Sequence, residues 1–153
     1  MDCYAFDTHV GIRASSQYKN FNFGSMVKFN GVCLGTNENG LFRLAGDTDD
    51  GVDIDAEFEL VDTDLGVQSS KHLRFLYFGF IADGDMEVDV KADGQSIRTI
   101  AVSKLEGQRR SRVSPGSDVR GLYFSQRVRN TKGCSFSIYS IEALPVILHR
   151  GHV

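Results

Sequence analysis

Residues 52–60 (VDIDAEFEL) alternate without a fault, with Val52, Ile54, Ala56, Phe58 and Leu60 on one side and Asp53, Asp55, Glu57 and Glu59 on the other. A strict two-residue period is the pattern of a β-strand with one buried face. Here the exposed face is wholly acidic. Acids two apart on a strand lie ~7 Å from each other, which costs roughly 0.6 kcal/mol per neighbouring pair in water. Such a row is tolerable in solvent and becomes favourable when cations lie opposite it.

The rest of the chain reads as more strands. Residues 27–35 form one, Asn37-Glu38-Asn39-Gly40 a turn, and residues 41–45 the returning strand. After the acidic strand, residues 71–81 (KHLRFLYFGFI) are the most apolar run and predict a central strand covered on both faces. Residues 85–90 (DMEVDV) and 96–102 (SIRTIAV) flank Asp93-Gly94, a pair suited to a type I′ hairpin. Residues 105–118 predict a long basic loop. Residues 119–130 resume alternation, with Leu122, Phe124 and Val128 inward and Tyr123, Ser125, Arg127 and Arg129 outward. The last strand, residues 135–148, contains Pro145, which implies an edge position or a bulge. Eight or nine short strands without a helical period predict an all-β fold, an antiparallel β-sandwich or jelly roll. The first residues are less regular: residues 1–26 read as an N-terminal arm or a first edge strand, with 13–20 as a loop or helical turn, and 27–153 as the single sandwich domain.

Composition narrows the class. A chain of 153 residues can bury a core without metal or disulfide staples. Cys3, Cys33 and Cys134 are odd in number and widely spaced, which predicts reduced thiols in a protein folded in a cytosol. The N-terminal stretch lacks the pattern of a signal peptide, and no window approaches 18 continuous apolar residues. The net charge of −3 is unevenly spread. Residues 47–64 carry nine acids and no base, whereas residues 104–132 carry eight bases against Glu106 and Asp118.

No motif points to catalysis. The acidic turn Asp47-Thr48-Asp49-Asp50-Gly51 invites a calcium reading, but counting from Asp47 puts Gly51 fifth and Phe58 twelfth. An EF-hand needs Gly sixth and Glu twelfth. Capping of a tight turn by Asp and Thr is the simpler account. His9, His72, His149 and His152 sit in no nucleophile or metal context, and no G-x-S-x-G or phosphate-binding Gly-rich loop occurs. No enzyme and no cofactor are expected. A carbohydrate platform would have to rely on Tyr18, Tyr77, Tyr123 and Tyr139, because the chain has no Trp. The basic run Gln108-Arg109-Arg110-Ser111-Arg112 is short for nucleic-acid binding in an acidic protein, and no specific nucleic acid is expected.

The segregated charge has two uses. Arg127 and Arg129 on a neighbouring strand meet the acidic row within one copy. Alternatively, the basic 108–112 run of one copy meets the acidic face of the next, and a head-to-tail contact of that sort generates rings or tubes. The candidate subunit-interface residues are therefore Asp53, Asp55, Glu57, Glu59, Arg109, Arg110, Arg112, Arg127 and Arg129.

The order of several elements is also familiar. The run Leu41-Phe42-Arg43-Leu44-Ala45-Gly46-Asp47-Thr48-Asp49-Asp50-Gly51 is followed, after the alternating strand, by Asp62-Thr63-Asp64-Leu65-Gly66. Lys71, Arg74, Tyr77 and Gly79 come next, and Phe136, Ile138, Ile141, Glu142, Leu144, Pro145 and Val146 close the series. Together these resemble small β-rich virion proteins of tailed bacteriophages, particularly tail and tail-tip components, over roughly residues 27–148. The resemblance implies a non-enzymatic tail structural protein present in many copies, forming a ring, a tail tip or a fibre attachment. It also implies folding in the bacterial cytoplasm, a place in the virion, and copies of itself and other tail proteins as partners; the lack of a long apolar window leaves no membrane expected. Alternatives from other classes are a capsid decoration protein and a glycan- or receptor-binding β-sandwich module.

Overall fold

The computed structural model describes residues 3–6, 15–18, 21–103 and 110–148. No α-helix occurs among them, and all strand pairs are antiparallel. The all-β class and the sandwich are as the alternation predicts. The chain divides into two compact units, Met1–Gly46 and Asp47–Val153.

In the first unit, β1 (Cys3–Phe6) pairs with β2 (Ser15–Tyr18), so part of the 13–20 stretch is strand rather than loop or helix. A second sheet holds β3 (Ser25–Phe29), β4 (Val32–Asn37) and β5 (Gly40–Arg43) in that order. Residues 27–35 are thus not one strand. Asn30 and Gly31 take φ of 47° and 81°, which makes a two-residue type I′ turn between Phe29 and Val32. On one face of this sheet the Phe23 ring lies over Gly35, where a Cβ would come within 2.8 Å of it. Rings continue from Phe42 through Phe23 and Phe21 to Tyr18, at centroid spacings of 5.7, 4.9 and 5.6 Å. The register puts Val27, Phe29, Val32, Leu34 and Leu41 on the other face, where Val27, Phe29 and Leu41 are exposed.

The second unit begins with a small hairpin, β6 (Thr48–Asp49) and β7 (Val52–Asp53), turned by Asp50 and Gly51 at φ of 49° and 81°. Next come β8 (Glu57–Glu59), β9 (Lys71–Ala82), β10 (Met86–Ala92) and β11 (Gln95–Val102). The unit ends with β12 (Arg110–Val113), β13 (Arg120–Gly121), β14 (Phe124–Asn130) and β15 (Phe136–Ile147). One sheet has the order β11-β10-β14-β8; in the other, β9 pairs with β12 and β13 and also with β15. Their inner faces share one apolar cluster. Leu73, Leu76, Phe78 and Phe80 come from β9, Met86, Val88, Val90 and Ala92 from β10, and Phe124 and Val128 from β14. Apart from Ala92, each of these side chains contributes roughly 1.5–3 kcal/mol on full burial. Lys71 lies among them with no exposed surface.

The structure corrects four further strand expectations. The acidic stretch 52–60 is not one strand with a buried side: Val52, Ile54 and Leu60 are exposed, and only Ala56 and Phe58 are half-buried. Its pairing with β14 covers Glu57–Glu59 alone. β9 is buried on one face only, since Arg74 and Ile81 are exposed and Phe75 and Tyr77 half-buried. The basic stretch 105–118 is not all loop, because Arg110–Val113 add to the edge of β9; residues 104–109 lie outside the described ones. Leu122, in the step between β13 and β14, is exposed, and Ser125 of β14 is buried, the reverse of the alternation reading, because residues 119–130 are two separate strands rather than one. The Asp93-Gly94 turn is as expected, at φ of 50° and 78° between Ala92 and Gln95. Pro145 satisfies both halves of its reading: β15 has β9 as its sole strand partner among the described residues, and the register shifts between Leu144 and Pro145.

Candidate functional site

The outer face of the β11-β10-β14-β8 sheet is an ionic lattice set by register. Glu57, Arg129 and Glu87 lie in one cross-strand row, and Glu59, Arg127, Asp89 and Thr99 in the next. Arg127 donates to Glu59 Oε2 through Nε at 3.0 Å and Nη2 at 2.9 Å, and its Nη1 lies 4.0 Å from Glu57. Arg129 donates to Glu87 through Nε at 2.7 Å and Nη2 at 2.6 Å, with Asp89 3.8 Å away. Lys91 closes the lattice on Glu59 Oε1 at 2.5 Å. The Lys91 ammonium, followed by the Arg127 guanidinium, holds the Glu59 carboxyl below its ordinary value of 4.5. Arg127 and Arg129 are raised in turn by their hydrogen bonds to Glu59 and Glu87. Cross-strand opposite charges stabilise a sheet modestly and fix its register.

Four of the candidate residues are therefore brought together inside one copy: Glu57, Glu59, Arg127 and Arg129. Asp53, on the β6-β7 hairpin, and Asp55 beyond it are exposed and stand apart from that lattice. Among the described residues neither has an ion pair. Arg109 lies outside the described residues. Arg110 and Arg112 are on the opposite side of the sandwich.

There they build a second feature. Arg110 stands opposite Gly79 and Arg112 opposite Tyr77, with Ser111 and Val113 turned the other way. Each guanidinium leans to the diagonal neighbour: Arg110 lies 4.6 Å from the Tyr77 ring centre and Arg112 4.9 Å from that of Phe75. Arg74 is the extra residue of a bulge, because Leu144 faces Phe75 and Pro145 faces Leu73. It turns outward and sits 5.3 Å from the same Phe75 ring. Arg110 also pairs with Glu142 across β9, at 2.6 Å. Tyr139 is the extra residue of β15 and is 57% exposed; a Cβ at Gly79 would come within 2.6 Å of its ring. The outer face of β9 is thus a layer of arginines on aromatic rings.

Sequence reasoning placed Arg110 and Arg112 but missed Arg74, Phe75, Tyr77 and Tyr139 as their companions, and Lys91, Glu87 and Asp89 as members of the lattice. The outward alternation of the 85–90 stretch carried a signal for Glu87 and Asp89. The uninterrupted apolarity of 71–81 carried none for Arg74.

An open hollow of about 710 Å³ lies where β9 turns into β10, lined by Asp85, Thr131, Lys132 and Cys134 among others. The Thr131 hydroxyl and Cys134 thiol both donate to the Asp85 carbonyl oxygen, so each is committed to main chain. His72 Nε2 likewise donates to the Gly116 carbonyl at 2.8 Å. No group of three or more His, Cys, Asp or Glu residues placed to hold a metal ion occurs among the described residues. Nor is any helix there long and apolar enough to cross a membrane.

Comparison with family models, curated proteins and solved structures returns no match for this chain.

Proposed function

We propose that this chain is a non-catalytic structural protein of a tailed-phage virion, a multi-copy tail component that forms a ring, a tail tip or a fibre attachment. The tail assignment rests on the ordered sequence resemblance between residues 41 and 146. The multi-copy assignment rests on one observation, the sheet of the first unit. Every member of the buried apolar cluster lies in the second unit, and in the first unit Gly35 alone is buried among the described side chains. Val27, Phe29 and Leu41 are 58%, 64% and 65% exposed on one face. Three strands with an uncovered apolar face gain little from folding alone, because ordering costs about 1–2 kcal/mol per residue. A neighbouring subunit in a particle supplies the missing cover.

Mass and symmetry of the purified protein, by light scattering and electron microscopy, test this. A defined closed oligomer is expected. A strictly monomeric protein overturns the reading. The exposed Tyr139 ring over Gly79 favours a second reading, a glycan-binding module; a monomer that retains one sugar on a glycan array would establish it instead.

A further inference from the structure

Arg74 and Arg112 share the ring of Phe75. Their guanidinium carbons therefore lie within about 10 Å of each other, close enough for like charges to repel. Neither has a carboxylate partner among the described residues, whereas Arg110 beside them is paired with Glu142. A guanidinium held over an aromatic ring keeps N–H groups free as donors for an anion. The pair is built to receive negative charge that its own copy does not supply.

The same unit carries negative charge without a partner. Asp47, Asp49, Asp50, Asp53 and Asp55 are exposed on and around the β6-β7 hairpin, and no ion pair holds any of them among the described residues. The hairpin cannot reach the arginine pair of its own copy. Asp53 lies against Gly133, and Asn130 binds the backbone of Ile54 and Ala56. Thr131 and Ser135 bond in turn to Asp85 and Asp83, just past the Ala82 end of β9. Phe75 is seven residues back from Ala82 along that strand, about 23 Å away at ~3.3 Å per residue.

We infer that the Arg74–Phe75–Arg112 face of one copy docks the acidic β6-β7 hairpin of a second copy, in a head-to-tail contact. This rests on the multi-copy reading above and names its contact. A site at one end of the unit and its complement on the other face make a heterologous interface, which propagates into a ring or tube. Charged donors and acceptors in solvent also make it sensitive to salt.

The test uses two variants of the full chain. Arg74→Glu with Arg112→Glu reverses the receiving face. Asp47→Lys with Asp49→Lys reverses the hairpin and leaves the positive-φ Asp50-Gly51 turn intact. Circular dichroism melts check that each folds, and Arg112→Gln provides a milder version of the first. Each variant alone is expected to fall to monomer at concentrations where the wild type assembles, a weakening of roughly tenfold or more. A mixture of the two is expected to assemble again, because each retains one half of the original contact and the reversed face of one attracts the reversed hairpin of the other. Folded variants that assemble like the wild type would sink this inference and leave the multi-copy reading standing. So would a mixture that stays monomeric. A monomeric wild type sinks both. The arginine face instead belongs to nucleic acid if a labelled oligothymidylate binds the wild type, loses binding in the arginine variant, and the hairpin variant still assembles.

Discussion

Asn130 holds Ala56 by two bonds at once: its backbone N–H donates to the Ala56 carbonyl at 3.0 Å, and its side-chain Oδ1 accepts the Ala56 N–H at 2.9 Å. The Asn130 amide nitrogen also donates to the Ile54 carbonyl at 2.9 Å and the Cys134 carbonyl at 3.0 Å. One side chain thus substitutes for the strand that β14 has run out of, and it anchors the acidic hairpin to the end of the sandwich. Asn130→Ala leaves an N–H and two carbonyls unpartnered in a part-buried site and is expected to cost about 2–3 kcal/mol in urea unfolding. Asn130→Asp is expected to be at least as damaging at neutral pH, because it turns a carboxylate oxygen toward two carbonyl oxygens. A cost below about 0.5 kcal/mol for the alanine would show that water replaces these bonds.

Lys71 is fully buried, yet among the described residues its ammonium has a carbonyl rather than a carboxylate for company: Nζ donates to Leu122 O at 2.6 Å and lies 5.6 Å from the Phe124 ring centre. Desolvating an ammonium is costly, and one carbonyl and one ring return only part of that cost. Lys71→Met keeps the volume and removes the charge, and it is expected to leave stability unchanged or to raise it by about 1–2 kcal/mol. Lys71→Ala removes the packing as well and is expected to lose about 2–4 kcal/mol. Paired thermal melts decide the matter: a methionine variant as unstable as the alanine one would mean that the carbonyl bond outweighs the buried charge.

What could be read in the sequence was what local chemistry determines. Asp93-Gly94 announces its turn because few other pairs tolerate two positive φ values. Asn30-Gly31 carries the same signal, and it was masked by the apolar residues on either side, which run on as one strand. The acids of 52–60 do point outward, and Arg127 and Arg129 do lie opposite Glu59 and Glu57. Val52, Ile54 and Leu60 are nevertheless exposed, since burial depends on how far β14 extends to receive them. The Arg74–Phe75–Arg112 cluster was hidden for a similar reason. A single bulge residue shifts the phase of β9, and periodicity within an apolar run does not reveal it.

The lattice on Glu59 gives the protein an acid-labile component. Lys91 and Arg127 hold the Glu59 carboxyl below its ordinary value in the folded state. A depressed carboxylate contributes stability that is fully present above the unfolded-state value, near 4.5, and is lost as pH falls through the folded one. Because the side chain is 36% exposed, solvent screening limits the effect to a few tenths up to about 1 kcal/mol. Urea unfolding of wild type and Glu59→Gln should therefore differ at neutral pH and converge below pH 4.5. Parallel curves across that window would rule out Glu59 as the responsible group. High salt should narrow the gap at neutral pH.

Asp93 does two jobs from one strained position. At φ of 50° it forms the first half of the hairpin turn, and its Oδ1 accepts the N–H groups of both Leu122 and Tyr123 at 2.9 Å. Its own N–H donates to the Tyr123 carbonyl at 2.9 Å. The turn between β10 and β11 is thereby tied to the step between β13 and β14, where one sheet passes to the other. Asp93→Asn tolerates the left-handed conformation and retains one oxygen acceptor, and it is expected to cost about 1 kcal/mol or less. Asp93→Ala pays the left-handed penalty and strands two N–H groups, and about 2–4 kcal/mol is expected. Gly121→Ala approaches the same carboxylate from the other side, because its Cβ would come within 2.8 Å of Asp93 Oδ2. It should therefore destabilise wild type markedly and the Asp93→Ala variant much less, a coupling that a double-mutant cycle measures directly. Additive losses in that cycle would mean that Gly121 is required by its backbone alone and that the Asp93 side chain does not join the two sheets.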